Sequence, residues 1–345
     1  MTEQLNTAFS DWTDVDLSNE FPVISMPQLY ASVYLTKPPL IEGLLYRDSY
    51  IFAGSPKQGK SFLMLQLCYH VSMGMPLWGH PVNQGTVLYL ALEDDYARLQ
   101  QRLFTMFAEE ASEHLYIATW AKKVGEGLEK KQLTDFKNDH PDTSLIVIDT
   151  LKLVRTLAPN KSSYDDDYNI GIAITRLAHL LEVCIIVVHH TNKKEYRDTF
   201  DKLSGTKGLY GSFDAAMVLE KTEPHSKKAN LYFQGRDQIE TMLELEKDMT
   251  TLQWLILRES AELWKAPPDP VLDAVSLVLS PDSPKWEGTA TALVAQLGID
   301  IKPNQLSIRL NVNAQRLVDE YQIRYSNTRS HAGRKITLQL ILEEA

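Results

Sequence analysis

Residues 54–61 most constrain this chain, because they read Gly-Ser-Pro-Lys-Gln-Gly-Lys-Ser. This is the spacing G-x-x-x-x-G-K-[ST] of a phosphate-binding loop. An apolar stretch at 50–53 precedes the loop, and a helical pattern over 61–73 follows it. A loop between a strand and a helix N-terminus directs backbone N–H groups at an anion, and the helix dipole adds to the attraction. The context predicts a nucleotide-phosphate site rather than a chance turn rich in glycine and lysine.

The loop also predicts how ATP and Mg²⁺ would be held. Lys60 would reach the β- and γ-phosphates, and the Ser61 hydroxyl would bind Mg²⁺. Asp149 ends the apolar run 145–148, where an acid can bind the water shell of the metal. The alternative is that Asp149 only caps a turn. The predicted metal ligands are Ser61 and Asp149, and the predicted nucleotide-binding residues are Gly54, Ser55, Pro56, Lys57, Gln58, Gly59, Lys60, Ser61 and Phe62.

Length and composition limit what else the chain can be. Its 345 residues, 44% of them hydrophobic, are enough for one large domain and one small domain. The two cysteines lie in apolar segments and predict neither a disulfide nor a metal site. We expect a cytosolic protein, since we find no signal peptide and no apolar run long enough to span a bilayer. The net charge of −10 argues against a generic polyanion binder, so any nucleic acid would contact local basic loops or a central channel.

The pattern of apolar runs predicts an α/β fold. Between residues 86 and 188, continuous apolar strands alternate with helical patterns, which indicates a parallel sheet covered on both faces. Short strands after Ala215 predict an antiparallel extension. A Pro-rich segment at 267–270 is the best candidate for the boundary between the two domains. We therefore predict an N-terminal arm over 1–37, whose first fifteen or so residues could equally be a disordered tail, an ATPase domain over 38–262 and a small domain over 268–345.

The small domain has a predicted winged-helix pattern of three helices (271–279, 288–297 and 304–320) and a hairpin. Between residues 302 and 335 it has seven basic residues and two acidic ones, a net charge of +5 in an otherwise acidic chain. The helix over 304–320 and the turn over 329–335 could therefore engage DNA. A winged helix that binds another protein is an equally good interpretation.

Acidic and histidine residues follow two further predicted strands. Glu93 follows the strand over 86–92 and is the candidate base that would polarise the attacking water. Asp94 and Asp95 come next, and either could be the N-cap of the following helix; all three acids could also be capping or solvated charges. His189 and His190 end the strand over 183–188, where a side chain could contact the γ-phosphate or be merely structural.

Three more features sit outside these strands. Long polar segments at 158–169 and 193–208 follow the strands that end at Asp149 and His190. The second segment mixes basic and aromatic residues, which suits single-stranded nucleic acid. The alternative is a mobile surface loop. Arg236 follows the strand over 231–233 and could act as an arginine finger on a neighbouring subunit's nucleotide. Its alternative is an ion pair with Asp237 or Glu240.

Taken in order, these motifs resemble the RepA-like branch of the RecA-type ATPases (AAA_25-type), relatives of the hexameric replicative helicases. The resemblance covers about 38–249 and includes 39–45, the phosphate loop, 88–95, 148–150, 189–193, 204–209 and 235–237. It implies a RecA-like sheet, ATP bound between subunits, and a ring, most simply a hexamer, around single-stranded DNA. It also implies Glu93 as the catalytic carboxylate, Asp149 on Mg²⁺, His190 near the γ-phosphate and Arg236 as the finger in trans, a role that Lys193 and Lys207 could share.

We therefore expect a Mg²⁺-dependent ATPase that forms a homo-oligomeric ring and moves on DNA, in the replication of a phage, plasmid or other mobile element. Its catalytic residues would be Lys60, Glu93, His190 and Arg236. The small domain would bind origin DNA or other replication proteins. Two alternatives remain open: a RecA/KaiC-type ATPase that loads or remodels proteins on DNA without unwinding it, and a DNA-binding regulator without turnover.

Overall fold

A computed structural model describes residues 23–35, 37–155, 163–190, 207–223, 226–236, 240–260, 268–330 and 333–341. The chain divides into two compact units. The larger is Lys37–Trp264, and the smaller combines Met1–Thr36 with Lys265–Ala345. The N-terminal segment therefore belongs with the C-terminal residues, although the whole larger unit lies between them in the sequence.

The strands alternate with helices through the first two thirds of the chain. The strands are β1 (Ser49–Gly54), β2 (Thr86–Ala91), β3 (Leu115–Ala118), β4 (Thr143–Asp149), β5 (Cys184–His190), β6 (Ala215–Lys221), β7 (Lys228–Gly235), β8 (Thr241–Lys247), β9 (Trp254–Glu259), β10 (Lys285–Gly288), β11 (Ile323–Ser330) and β12 (Gly333–Leu340). The helices are α1 (Met26–Ala31), α2 (Lys60–Met73), α3 (Tyr96–Phe107), α4 (Thr134–Asp139), α5 (Leu151–Val154), α6 (Ser163–Leu181), α7 (Lys207–Gly211), α8 (Pro270–Ser276), α9 (Ala290–Leu297), α10 (Pro303–Val312) and α11 (Ala314–Tyr321).

The larger unit is built on a nine-stranded sheet with the order β3-β2-β4-β5-β1-β6-β7-β8-β9. The strands from β3 to β6 are parallel, and β7, β8 and β9 continue the sheet in antiparallel fashion. β1, β2 and β4 are buried along their whole length, as expected for strands covered on both faces. β8 instead alternates between buried and half-buried positions. The predicted mostly parallel sheet with an antiparallel extension is confirmed.

Local signals set the ends of the two helices nearest the phosphate loop. α2 ends at Gly74, whose φ of +66° closes the helix in the left-handed conformation that glycine tolerates. α3 begins after Asp95, whose carboxylate accepts a hydrogen bond from the Arg98 backbone N–H. Between β3 and β4 lies a π-helical turn, Leu128–Leu133, followed by α4. Residues 163–169, predicted as part of a loop, lie in α6.

The parallel register places the ends of four strands at one edge of the sheet. Gly54 at the end of β1 is paired with His190 at the end of β5. Ala91 at the end of β2 is paired with Asp149 at the end of β4. Ligand sites of open α/β sheets form at this carboxyl edge. The edge where the parallel strands end is the carboxyl edge. The edge where they begin is the amino edge.

The smaller unit has its own apolar core around Leu272, Leu306, Leu310 and Leu338, beneath a three-stranded sheet of the order β10-β12-β11. Asn311 joins the N-terminal segment to this core, because its side-chain amide donates to the Tyr30 carbonyl oxygen at 2.8 Å. The same Asn311 accepts a hydrogen bond from the Tyr325 hydroxyl at 2.7 Å.

Two sequence predictions for the smaller unit need correction. The helix predicted over 304–320 is two helices, α10 and α11, divided at Asn313. The helix predicted from residue 288 starts at Ala290, because Gly288 belongs to β10 and pairs with Ile336. The winged-helix assignment stays a prediction. Within the described part of the chain, no helix is both long and apolar enough to span a bilayer.

Candidate nucleotide-binding site

The phosphate loop connects β1 to α2 in a conformation that glycine makes possible. Gly59 has a φ of +96°, and a side chain there would place its Cβ 3.0 Å from the Trp254 ring. A Cβ at Gly54 would lie 2.7 Å from the Leu219 carbonyl oxygen. α2 begins at Lys60, directly after this turn, so the N–H groups of its first turn face the loop. The arrangement is that of an anion site at a helix N-terminus.

Lys60 lies folded into the loop. Its ammonium donates to the carbonyl oxygens of Gly54 at 2.8 Å and Ser55 at 3.0 Å. It also lies 3.1 Å from Nδ1 of His190. Burial lowers the pKa of Lys60 to about 8, although the nearby carboxylates of Asp149 and Glu93 act in the opposite direction. A bound polyphosphate would favour the charged form, because it adds negative charge beside the ammonium.

Asp149 is held among hydrogen-bond donors at the end of β4. It is 5% exposed, and its carboxylate accepts a hydrogen bond from the Tyr89 hydroxyl at 2.8 Å. Burial raises the pKa of Asp149, and hydrogen bonds from Ser61 and Tyr89 oppose that rise. The hydroxyl of Ser61 and the carboxylate of Asp149 are neighbouring hard oxygen donors, the kind that Mg²⁺ prefers. These two residues therefore fit the predicted metal.

Glu93 lies at the carboxyl end of β2 with its side chain 48% exposed. Its Oε1 accepts a hydrogen bond from the Thr150 hydroxyl at 3.0 Å and lies 4.0 Å from Nε2 of His190. If Lys60 donates to Nδ1 of His190, the imidazole proton is on Nε2, which faces Glu93. His190 thus stands between the loop lysine and the strand-end carboxylate. Burial and then the charge of Lys60 lower the pKa of His190, which favours the neutral ring.

The two aspartates beside Glu93 have structural partners. Asp95 caps α3, as described above. Asp94 forms ion pairs with Arg98, at 2.9 Å, and with Arg102. Of the three consecutive acids, Glu93 is therefore the one whose carboxylate faces the loop lysine and His190. The neighbouring His189 is more buried, and burial followed by the charge of His190 lowers its pKa to about 4.

Arg236 lies at the amino edge of the sheet, opposite the edge that carries the phosphate loop. It follows the end of β7, and its backbone N–H donates to the Asp214 carbonyl oxygen at 3.1 Å. Asp214 directly precedes β6, so both residues lie at the amino edge. The guanidinium is 63% exposed and lies 3.8 Å from the Asp214 carboxylate. The alternative ion pair with Asp237 or Glu240 stays a prediction, because Asp237 lies outside the described residues.

Sequence reasoning missed several residues that shape the site. Tyr89 and Thr150 orient Asp149 and Glu93, and Trp254 on β9 packs beneath Gly59. Gln66 holds the backbone of Trp254 with two hydrogen bonds, of 2.7 and 2.9 Å. The signal for Tyr89 was present, because its hydroxyl is the one polar side-chain group in the buried run 87–91 and needs a partner. Trp254 gave no such signal, because nearly 200 residues separate it from the loop.

Two cationic side chains lie over the ring of Phe62, the last of the predicted nucleotide-binding residues. Lys247 lies 3.6 Å from the ring centroid and Arg102 lies 5.1 Å from it. Burial lowers the pKa of Lys247 to about 8, with Lys221 and Arg102 adding to the effect. Residues 193–206 and 158–162 of the predicted polar loops, with Lys193 among them, lie outside the described residues.

The strand order and the loop define a RecA-like P-loop fold, to which known proteins are similar. Residues 34–195 match the family model of an AAA domain. One solved structure, an isolated ATPase domain, is 16% identical, with a TM-score of 0.51, over 61% of this chain and 85% of that chain. A DnaB-like replicative helicase, solved in a study of its interactions with primase, is 16% identical with the same TM-score. The match covers 62% of this chain and 58% of that one.

A third solved structure, the KaiC-like protein PH0186 from Pyrococcus horikoshii OT3, is 14% identical over 66% of this chain and 99% of that chain, with a TM-score of 0.44. No curated protein matches the chain by sequence. At 16% identity, the two structures with a TM-score of 0.51 show a shared fold. Residues 34–195 are therefore similar to an AAA domain, and the larger unit has a RecA-like fold.

Proposed function

We propose that this protein is an ATP-hydrolysing, ring-forming DNA translocase or helicase of the RepA-like type. The observation that carries the proposal is the separation of Arg236 from the phosphate loop. Lys60, Glu93 and His190 meet at the carboxyl edge of the sheet, whereas the exposed Arg236 lies at the amino edge. Phosphoryl transfer in such sites is accelerated by a cation reaching the developing charge from a second element. An arginine at the amino edge suits a nucleotide held by a second copy of the chain.

Within one ATP site, each of the described residues would have a separate role in hydrolysis. The loop N–H groups and Lys60 would hold the phosphates, and Ser61 with Asp149 would hold Mg²⁺, which neutralises phosphate charge when bound. Glu93, oriented by Thr150, would accept a proton from water as the water oxygen attacks the γ-phosphorus. The bond from the γ-phosphorus to the bridging oxygen breaks, and ADP leaves with that electron pair.

His190 would couple this chemistry to movement. It lies 3.1 Å from Lys60 and 4.0 Å from Glu93, so loss of the γ-phosphate changes the charges on both sides of its ring. Residue 191 follows it directly in the sequence, and the predicted DNA-contacting segment begins at Lys193. A shift of His190 would therefore reach that segment within three residues. The resemblance to ring helicases supports single-stranded DNA as the partner.

The proposed roles of the smaller unit and of the biological setting rest on charge and on resemblance. The unit would engage origin DNA or other replication proteins, and its basic bias supports the former. However, Arg309 is paired with Asp269 and Arg316 with Glu320, so part of that bias is neutralised locally. The resemblance to the RepA-like branch supports a place in the replication of a phage, plasmid or other mobile element.

The first test is steady-state ATP hydrolysis with and without single-stranded DNA at low salt, where phosphate contacts are least screened. We expect turnover that DNA stimulates and that Lys60→Ala and Glu93→Gln abolish. A rate indifferent to DNA would favour the ATPase that remodels proteins. The absence of turnover in the wild-type protein would favour the regulator.

A mixing experiment tests the arginine finger in trans. Arg236→Ala and Glu93→Gln should each be inactive alone. In mixed rings, however, some sites combine an intact Glu93 from one copy with an intact Arg236 from the next, so activity should reappear. Arg258→Ala is the matched control, because Arg258 is an exposed arginine near the same edge of the sheet on β9. Full activity of Arg236→Ala alone would contradict the role of the finger, and inactivity of every mixture would contradict its action in trans.

A further inference from the structure

A short segment, 119–127, crosses the carboxyl edge of the sheet. It leaves β3, the outermost strand, and reaches helix α5, which follows β4. There the Val124 N–H donates to the Val154 carbonyl oxygen at 2.9 Å. The segment therefore passes the end of β2, where Glu93 lies, and runs along the same edge as the phosphate loop.

The segment is fixed by internal contacts. Val124 is buried, with 7% of its surface exposed. The Lys122 N–H donates to the side chain of Gln132 at 2.7 Å. The Gly125 N–H donates to the buried carboxylate of Glu129 at 2.9 Å. Because its backbone is held at three points, the side chains that point away from it are displayed at defined positions.

Those side chains are one large aromatic ring and several cations. Trp120 is 67% exposed, although tryptophan is highly buried on average. Lys122 and Lys123 are exposed beside it, and Lys152 is exposed on α5. None of the three lysines forms an ion pair with an acid in the described parts of the chain. The charge of Lys152 also acts on the pKa of His190, so this cation lies near the catalytic residues.

We propose that Trp120, Lys122, Lys123 and Lys152 form a platform that binds single-stranded nucleic acid beside the ATP site. An exposed indole offers a face on which a base can stack, and the lysines offer charge to the adjacent phosphates. The chain as a whole has a net charge of −10, so a polyanion requires a local cluster of cations such as this one. The inference rests on the proposed function only in taking DNA as the partner.

A contact between copies of the chain is the main competing explanation for an exposed tryptophan. Lysine is depleted from the cores of protein interfaces, because its strongly hydrated charge is costly to bury. Here three lysines accompany a single aromatic ring. That composition suits a polyanion better than an apolar partner surface.

The test measures binding of a fluorescent oligo-dT by anisotropy, in the presence of Mg²⁺ and a non-hydrolysable ATP analogue. Trp120→Ala should weaken binding by roughly 5-fold or more, the effect of losing one stacked base, and Trp120→Phe should retain most of the affinity. Phe104→Ala is the matched control, because Phe104 is an aromatic side chain of similar exposure, 61%, on α3. Log K for oligo-dT falls linearly with log salt concentration. Replacing Lys122 and Lys123 together by alanine should make that slope shallower by about 1.4, because two phosphate contacts are lost.

Each result decides something. ATP turnover without DNA and the oligomeric state should be unchanged in Trp120→Ala, which separates a DNA contact from an interface between copies. If Trp120→Ala binds oligo-dT as tightly as the wild type, the platform is refuted while the proposed translocase stands. If Trp120→Ala dissociates the oligomer, the surface is an interface and the inference is wrong. If the wild-type protein binds no oligo-dT, both the platform and the translocase are refuted.

Discussion

If Asp149 holds Mg²⁺ as proposed, the hydroxyl of Tyr89 should control the pH at which its carboxylate is ionised and able to bind the metal. Tyr89 is fully buried on β2 and donates to the Asp149 carboxylate at 2.8 Å. Burial raises the pKa of Asp149, and this hydrogen bond is one of two that oppose the rise. Tyr89→Phe removes the donor and keeps the ring, so we expect the pKa of Asp149 to rise further.

The size of that rise follows from the strength of the bond. A hydrogen bond to a charged group contributes about 1.5–3 kcal/mol, and about 1.36 kcal/mol corresponds to one pKa unit. The pKa of Asp149 should therefore rise by about one to two units in Tyr89→Phe. Protons then compete with Mg²⁺ up to a higher pH. The acidic limb of the pH–rate profile should move to higher pH by about the same one to two units, and activity should recover at alkaline pH.

The assay is ATP turnover against pH at two fixed Mg²⁺ concentrations. More Mg²⁺ should partly restore the rate of Tyr89→Phe on the acidic limb, because metal and proton compete for one carboxylate. Tyr50→Phe is the control: Tyr50 is equally buried, and its hydroxyl accepts from the Tyr46 N–H at 3.0 Å rather than contacting Asp149. A Tyr89→Phe profile lowered equally at every pH, with no shift of the limb, would refute the argument.

Two further predictions concern the loop and the finger. Gly59→Ala should lower the free energy of unfolding by more than Gly79→Ala does. Both glycines have a positive φ, which costs alanine about 1–2 kcal/mol. Only at Gly59 would the new Cβ also contact the ring of Trp254. Urea denaturation of the two variants measures the difference, and equal losses would show that Trp254 yields freely. Asp214→Asn should reduce kcat by no more than about fivefold, because an ion pair at 3.8 Å to the largely exposed Arg236 contributes little energy. KM for ATP should be unchanged, because Arg236 would act on the reacting phosphate and not on ATP binding. A change in KM alone would contradict a role of Asp214 through Arg236.

Local chemistry explains why much of the fold could be predicted. The loop 54–61 specifies its own strand–turn–helix context, and unbroken apolar runs such as 145–148 are what strands covered on both faces require. Strand-end polar residues follow from the same logic, since the ends of parallel strands meet at one edge. Glu93 and His190 could therefore be placed near Lys60 from the sequence alone, and the three side chains do lie together.

Contacts between distant segments explain most of what could not be predicted. Whether Asp94 or Asp95 caps a helix depends on single hydrogen bonds that three consecutive acids do not distinguish. The break at Asn313 interrupts a helical pattern that runs on in the sequence. The tie from Asn311 to Tyr30 spans 281 positions, and no periodicity reports such a contact.

The position of Arg236 bears directly on the proposed action in trans. β7 runs antiparallel to β6, so a residue at the end of β7 must lie beside the start of β6, at the amino edge. The phosphate loop follows β1, which is parallel to β6, so the loop must lie at the other edge. No rotamer of one arginine spans the length of a six-residue strand, about 20 Å. If Arg236 acts on ATP at all, strand direction alone requires that the ATP belong to another copy, and the mixing experiment above measures that requirement directly.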